Sequence, residues 1–548
     1  MRTIQTSVAG GHSLAAICST FLCLQTSASQ FEEVTAAASL ADEQAYCIGA
    51  AWGDYDQDGY LDLYIAVGAT DPSINALYYN NGDGTFSRKT EAEVGPPASD
   101  SHDSSSCAWI DFNNDGWPDL FVMNGWWTAS QNDLYWNNGD GTFSRGSAGT
   151  LTDQSFAGSL PGYADYDGDG FVDLFLAQGG SGWGPFQPRL HHASGSGSFT
   201  PIDLGPVINY CNAAVWGDYN NDGKPDLFLC NYTSPSSLWR NDGQGKFTKT
   251  ANGLPSGGET IHAAWADYNN DGTLEIALCG SGGTRLYRKD GQDGFVLVTN
   301  FTAAVYGVPG WADYDNDGHL DLLVVGGQDS PRQAQLYHNN GNDTFTSVDE
   351  SLTELADYWL CCPWGDYDND GFMDVLLTQQ YGANRLYHNL GNTNHWIKFK
   401  LVGTVSNRAA IGAKVRVNAT IAGQTVWQLQ EINGGYAQQN DSRPNFGLGD
   451  AANVDLVRIE WPSGIVQTLT NLAPQQILTV TEPARLVAQG PGQAQVQSWK
   501  GMAFELEAST DLVEWASLGT LTNLDGTLKF SDPDAANHVR RYYRAVAK

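Results

Sequence analysis

A chain of 548 residues with 62 acidic and 28 basic side chains carries a formal charge of −34 and a pI near 4.3. That balance argues against nucleic acid and anionic membrane surfaces as partners, and favours cations or basic partners reached through them. Apolar residues at 41% exclude wholesale disorder, and the length leaves room for two to four domains.

Arg2 precedes an apolar run from Ser13 to Leu24 and the small residues Thr26 to Ser29, the pattern of a secretory signal cleaved near Ser29. Neither Cys18 nor Cys23 follows the small residue that a lipoprotein signal needs. No later run of about 18 apolar residues exists, so the expectation is an exported chain without a membrane span: secreted, periplasmic or cell-surface. The seven remaining cysteines, Cys47, Cys107, Cys211, Cys230, Cys279, Cys361 and Cys362, are odd in number and lack C-x-x-C spacing. Buried small hydrophobes are expected, with one or two bridges left open.

After a short strand at Phe31–Thr35, one unit recurs seven times. Its acidic loops are Asp54–Gly59, Asp111–Gly116, Asp165–Gly170, Asp218–Gly223, Asp267–Gly272, Asp313–Gly318 and Asp366–Gly371. An aromatic stands two residues before each: Trp52, Trp109, Tyr163, Trp216, Trp265, Trp311 and Trp364. An apolar strand follows, then Leu-Tyr or a variant, a tight Asn-Gly or Asp-Gly turn and a Phe-led strand at Phe86, Phe143, Phe199, Phe247, Phe295 and Phe345. Each unit reads as a four-stranded antiparallel sheet. Seven such sheets predict an all-β, seven-bladed propeller over residues 30–392. The seventh copy lacks its Phe-led strand, so Phe31–Thr35 is expected to complete that blade and close the ring.

Counted from the first Asp, positions 1, 3 and 5 are Asp or Asn, 6 is Gly and 9 is acidic. The candidate metal ligands are therefore Asp54, Asp56, Asp58 and Asp62; Asp111, Asn113, Asp115 and Asp119; Asp165, Asp167, Asp169 and Asp173; and Asp218, Asn220, Asp222 and Asp226. The remaining three sets are Asp267, Asn269, Asp271 and Glu275; Asp313, Asp315, Asp317 and Asp321; and Asp366, Asp368, Asp370 and Asp374. Calcium takes six to eight oxygens, and side chains 1, 3, 5 and 9 can converge if the chain curls at the glycine. An EF-hand is excluded: position 12 is aliphatic in all seven, Ile65, Val122, Leu176, Leu229, Leu278, Val324 and Leu377, where that motif needs Glu. These positions hold 25 of the 62 acidic residues, and without them the charge would be only −9. Up to seven structural Ca²⁺ ions are expected, held more weakly where position 3 is Asn.

The units resemble the FG-GAP/VCBS repeats of integrin α-subunit propellers and of many secreted bacterial proteins. The resemblance implies calcium held between strands of each blade in a structural role.

Beyond Asn392 the pattern changes. Asn407–Arg416, Glu431–Tyr436, Phe446–Gly449 and Val457–Gly464 together resemble the ASPIC/UnbV domain of cartilage acidic protein and its bacterial homologues, placed at 393–483. Ala437-Gln438-Gln439 departs from the Ser-Gln pair usual there. Residues 484–548, with Phe504–Trp515 and Arg540–Arg544, read as a small sandwich-like β-module.

No G-x-S-x-G, Walker, dinucleotide or H-E-x-x-H motif appears, so no catalytic residue is assigned. The position after Leu-Tyr holds Tyr79, Trp136, His192, Arg240, Arg288, His338 and His388, a set that would form a site if the seven blades brought it together. Aromatics among glycines at 124–128 and 181–186 are candidates for stacking on sugars or anchoring a protein. The expected function is a non-catalytic, calcium-stabilised binding or adhesion module for proteins or glycans. The alternatives are a carbohydrate-active propeller enzyme and a structural part of an exported assembly.

Overall fold

The computed structural model describes residues 29–548 except 41–45, 69–73, 126–129, 153–154, 157, 179–187, 196, 203, 205–210, 232–233, 251–252, 255–259, 292–293, 302–305, 327–333, 349–351, 353–358, 381, 434–437 and 525–527. The described residues are almost entirely β, and between Phe31 and Asn389 they form the blade-like, mostly four-stranded antiparallel sheets of a β-propeller. Blade 1 sets the pattern: Tyr46–Gly53, Asp62–Gly68, Ala76–Asn80 and Phe86–Arg88, each paired with the next. The second strand of blade 1 is buried along its whole length, because neighbouring blades cover both of its faces. That is why these strands read as continuous apolar runs rather than alternating ones.

Phe31–Glu33 lies antiparallel to Arg385–Asn389, pairing Phe31 with Asn389 and Glu33 with Tyr387, and so supplies the outer strand of blade 7. Phe31 is 2% exposed. The first described strand thus closes the ring onto the last blade and removes two open sheet edges.

Aromatic seams join the blades. The tyrosine at loop position 2 stacks on the tryptophan of the next blade: Tyr367 on Trp52, Tyr55 on Trp109, Tyr219 on Trp265 and Tyr268 on Trp311, with ring centroids 5.8–6.4 Å apart. The outer-strand phenylalanine closes each trio, as Phe86, Phe143, Phe295 and Phe345 do. Pairs of this kind add about 0.5–1.5 kcal/mol beyond their buried area. All seven cysteines among the described residues are buried. Burial pushes the Cys279 and Cys361 thiols up to about 12, which makes them packing residues rather than nucleophiles.

The C-terminal third adds two units. In the first, Lys414–Ile421 pairs with Gln424–Glu431 and Val454–Glu460, and His395–Val402 runs beside Asn445–Gly449 and Gln476–Thr481. In the second, two three-stranded sheets enclose Val496, Phe504, Leu506 and Leu528.

The segment around Gln438–Gln439, where the sequence departs from the pattern it otherwise resembles, enters the propeller. Gln438–Gln439 adds a parallel strand to Ala50–Ala51 of blade 1. Gln439 donates to Trp109 O at 3.0 Å and accepts from Trp109 N at 2.6 Å, bridging to blade 2. Asn440 accepts from Trp364 N and Asp441 N donates to Trp364 O, which engages blade 7. Gln439→Ala leaves a buried N–H and a buried carbonyl of Trp109 unpaired, and about 1–3 kcal/mol of stability should be lost. Urea denaturation measures this; a variant with an unchanged midpoint would show that the bridge contributes nothing.

Candidate metal centres in seven acidic loops

Each loop joins the first and second strands of its blade, so all seven lie on one face of the ring. Position 6 glycine has φ between 82° and 100° in every loop, a conformation that disfavours any side chain. Its N–H donates to the position 1 carboxylate, as from Gly223 to Asp218 at 2.7 Å and from Gly371 to Asp366 at 3.1 Å. Position 5 N–H donates to the side chain at position 3, and in loops 1, 2, 3, 6 and 7 position 2 N–H donates to position 9, as Tyr55 does to Asp62 at 3.2 Å. These bonds turn the side chains into the loop. Donor oxygens of Asp54, Asp56 and Asp58, and those of Asp165, Asp167 and Asp169, all stand within 4.8 Å of one another.

The residues fit a hard cation on a further observation. Asp165 Oδ1, Asp226 Oδ2, Glu275 Oε2 and Asp366 Oδ1 are buried and have no hydrogen-bond partner among the described residues. A buried carboxylate oxygen without a donor is costly unless an ion completes it. Burial pushes the position 9 carboxyls of Asp62, Asp119, Asp173 and Glu275 up to about 9, and those of Asp226 and Asp321 up to about 8. At position 1, burial lifts Asp111, Asp165 and Asp267 to about 7.

A pH dependence follows. Carboxyls raised in the folded chain bind more protons there than when unfolded, so stability falls as pH rises from about 4 to about 9, by up to about 1.4 kcal/mol per pH unit for each group. Protein kept in chelator should melt lower at pH 8.5 than at pH 5.5, and saturating calcium should flatten the trend by holding the same groups ionised. Melting curves across that range decide it; a chelated protein that gains stability with pH contradicts the assignment.

Position 4 carries a feature that the sequence reading passed over. Gln57, Asn114, Asn221, Asn270, Asn316 and Asn369 all have φ near 60°. Each side chain donates to the position 6 carbonyl of the next blade: Asn114 to Gly170 at 2.8 Å, Asn221 to Gly272 at 3.0 Å, and Asn369 back to Gly59 at 2.9 Å. Only loop 3 breaks this belt, because Gly168 has no side chain to give. The repeated Asn at position 4 was the available signal, since Asn tolerates positive φ.

The C-terminal units roof this face with basic side chains. Lys400 Nζ lies 3.0 Å from Asp54 Oδ2, Lys414 Nζ 2.7 Å from Asp218 Oδ2, and Lys398 Nζ 2.6 Å from Asp366 Oδ2. Arg408 N donates to Asn114, and Arg416 donates to Gly272 O. At loop 6 the approach is backbone: a Cβ on Gly447 would fall 2.0 Å from Asp313 Oδ2. At loop 3 the ring of Trp499 covers Gly170. Lysines that alternate along a strand of so acidic a chain were the one trace of this in the sequence.

The seven residues after Leu-Tyr do not form a common site. Each stands on the third strand of its own blade: Arg240 pairs with Asp242, Arg288 with Asp343, and Tyr79 donates to Asp58. His192, His338 and His388 each face their own loop. Separate blades keep these positions apart, so an enzyme-like cluster of His and Arg is absent among the described residues. The aromatic segments at 126–128 and 181–186, and the N-terminal segment through residue 28, lie outside the described residues.

A model described as "FG-GAP-like repeat" matches residues 54–122, 125–176, 165–229, 218–278, 267–324 and 313–377, and one described as "ASPIC and UnbV" matches 403–487. No curated protein matches the sequence. Among solved structures, an Agrocybe aegerita lectin specific for non-reducing terminal N-acetylglucosamine is 16% identical, with TM-score 0.41 over 56% of this chain and 81% of that one. BBS1N in complex with ARL6DN is 13% identical, with TM-score 0.42 over 64% and 94%. YCF48 bound to D1 peptide is 11% identical, with TM-score 0.41 over 66% and 96%.

Proposed function

The chain belongs to the FG-GAP-like repeat family and carries an ASPIC and UnbV domain after its propeller, and from that premise we propose that it is an exported, calcium-stabilised, non-catalytic binding module for proteins or glycans. The observation that carries the reading is the set of inward-turned loops whose buried carboxylate oxygens, such as Asp165 Oδ1 and Asp366 Oδ1, have no protein donor. In them calcium supplies the positive charge that offsets the mutual repulsion of three or four carboxylates. The ion pins a turn ahead of a buried strand and takes no part in chemistry. With the loop face roofed by the C-terminal units, a partner meets the opposite face, where the blade-to-blade connections lie. Among the described residues no helix is long and apolar enough to cross a membrane.

The test is a glycan array and a pull-down from the envelope fraction with the full chain, in calcium and again in chelator. Capture that needs calcium supports the module. Turnover of a polysaccharide, or no binding in either condition, rejects it.

A further inference from the structure

Three of the seven loops offer a nitrogen as well as oxygens. His192 Nδ1 lies 3.2 Å from Asp173 Oδ1 and 3.4 Å from Asp167 Oδ2, and its Nε2 is 3.9 Å from Asp169 Oδ2. His338 repeats this over loop 6, with 3.2 Å to Asp321, 3.5 Å to Asp315 and 3.9 Å to Asp317. His388 stands 3.1 Å from Asp374 and 3.6 Å from Asp368 in loop 7. Each imidazole meets the position 2 tyrosine edge-on, at 6.2 Å from Tyr166, 6.3 Å from Tyr314 and 6.0 Å from Tyr367, so the ring orientation is set by packing. The three side chains are 23–29% exposed, which leaves an ion a way in.

A ring offers one nitrogen to an ion, and the Nδ1 contacts of 3.1–3.6 Å, rather than the 3.9 Å Nε2 ones, are close to what a small ion needs. Donors about 2.1 Å from a metal stand roughly 3.0–3.4 Å apart in octahedral or tetrahedral sets. Loop 3 supplies a second, independent observation. Asp165 is 6% exposed and its Oδ1 has no hydrogen-bond partner, while Oδ2 accepts from Gly170 N at 3.0 Å. Its donor oxygen groups with those of Asp167 and Asp169. Among the described residues no Lys or Arg pairs with Asp165 or Asp313 of loops 3 and 6, whereas in loop 7 Lys398 pairs with Asp366 Oδ2 and leaves Oδ1 without a partner. Where the equivalent side chain is arginine, in blades 4 and 5, position 3 is Asn and the arginine turns to Asp242 or Asp343 outside the loop.

We propose that loops 3, 6 and 7, through His192, His338 and His388, are mixed imidazole–carboxylate sites that prefer a first-row divalent transition ion over calcium. The proposal rests on the reading of the loops as cation sites and divides them into two classes. Calcium takes oxygen donors, whereas imidazole suits zinc, iron and their neighbours. The other four loops offer oxygen alone.

Co²⁺ is the probe, because its visible absorption reports nitrogen and oxygen ligation. The full-length protein, stripped of metal and then held in excess calcium, is titrated with Co²⁺ and its bound metal counted by mass spectrometry. Uptake approaching three Co²⁺ per chain is expected. His192→Phe alone should remove one of them, and the triple variant His192→Phe/His338→Phe/His388→Phe should weaken Co²⁺ binding at least about tenfold while its melting temperature still rises with calcium. Unaltered Co²⁺ binding in the triple variant overturns the proposal. So does a wild-type protein that takes up no Co²⁺ while calcium still raises its melt, a result that leaves the calcium reading standing. Stabilisation by neither ion removes both.

Discussion

Removing divalent cations with a chelator is expected to lower the melting temperature sharply, and added calcium to restore it. A site present only in the folded chain stabilises it by RT ln(1 + [L]/Kd), about 2.7 kcal/mol at a hundredfold excess over Kd. Two loops filled to that degree contribute about 5 kcal/mol, comparable with the whole stability of many domains. The ion also relieves repulsion already present in the fold. Asp313 and Asp374 are buried, and burial, with the neighbouring aspartates adding to it, raises both carboxyls. The loops with Asn113, Asn220 and Asn269 should release calcium first, since each has one charge fewer. Calorimetry in chelator and in graded calcium gives the answer, and a melt indifferent to both would dismiss the metal assignment.

Lys398→Met is expected to cost about 3–5 kcal/mol, because it breaks a fully buried charge network. Lys398, Asp366 and Asp441 have no exposed side-chain surface. Lys398 donates to Asp366 at 2.6 Å and to Asp441 at 3.3 Å, and Arg443 completes the set through Asp441 Oδ1 at 2.8 Å. Burial alone would raise the Asp441 carboxyl, but Arg443 and Lys398 hold it below its ordinary value. Two cations against two carboxylates balance, and removing one leaves a buried negative charge. The network joins the roof to blade 7, since Arg443 also donates to Asp366 O and to Asn369. Asp366→Asn combined with Lys398→Met should recover part of the loss, a coupling that a double-mutant cycle measures. A Lys398→Met protein as stable as its parent would show that the network contributes no net stability.

Much of this was legible in the sequence, for local reasons. Glycine at position 6 appears because only a residue free of Cβ strain curls there, and an aromatic, tryptophan in six of the seven copies, stands before each loop because it packs in the blade seams, stacked on a tyrosine in four of them. The lone strand at Phe31 was legible as the missing edge of blade 7, because six copies ended in a Phe-led strand and one did not. The histidine positions were visible, but whether they would meet was open from the sequence. Equivalence in sequence suggested a shared ring, whereas the radial arrangement holds them apart and sets each against its own loop.

Sequence by itself determined the repeat, the strands, the turns and the carboxylates, because each depends on neighbours a few residues away. Tertiary structure alone decided that Lys398, Lys400 and Lys414 would meet Asp366, Asp54 and Asp218, and that Gln439 would bridge the backbone of Trp109. Those contacts join residues about 30 to 350 positions apart, and what brings them together is the closure of the ring and the fit of one folded surface on another.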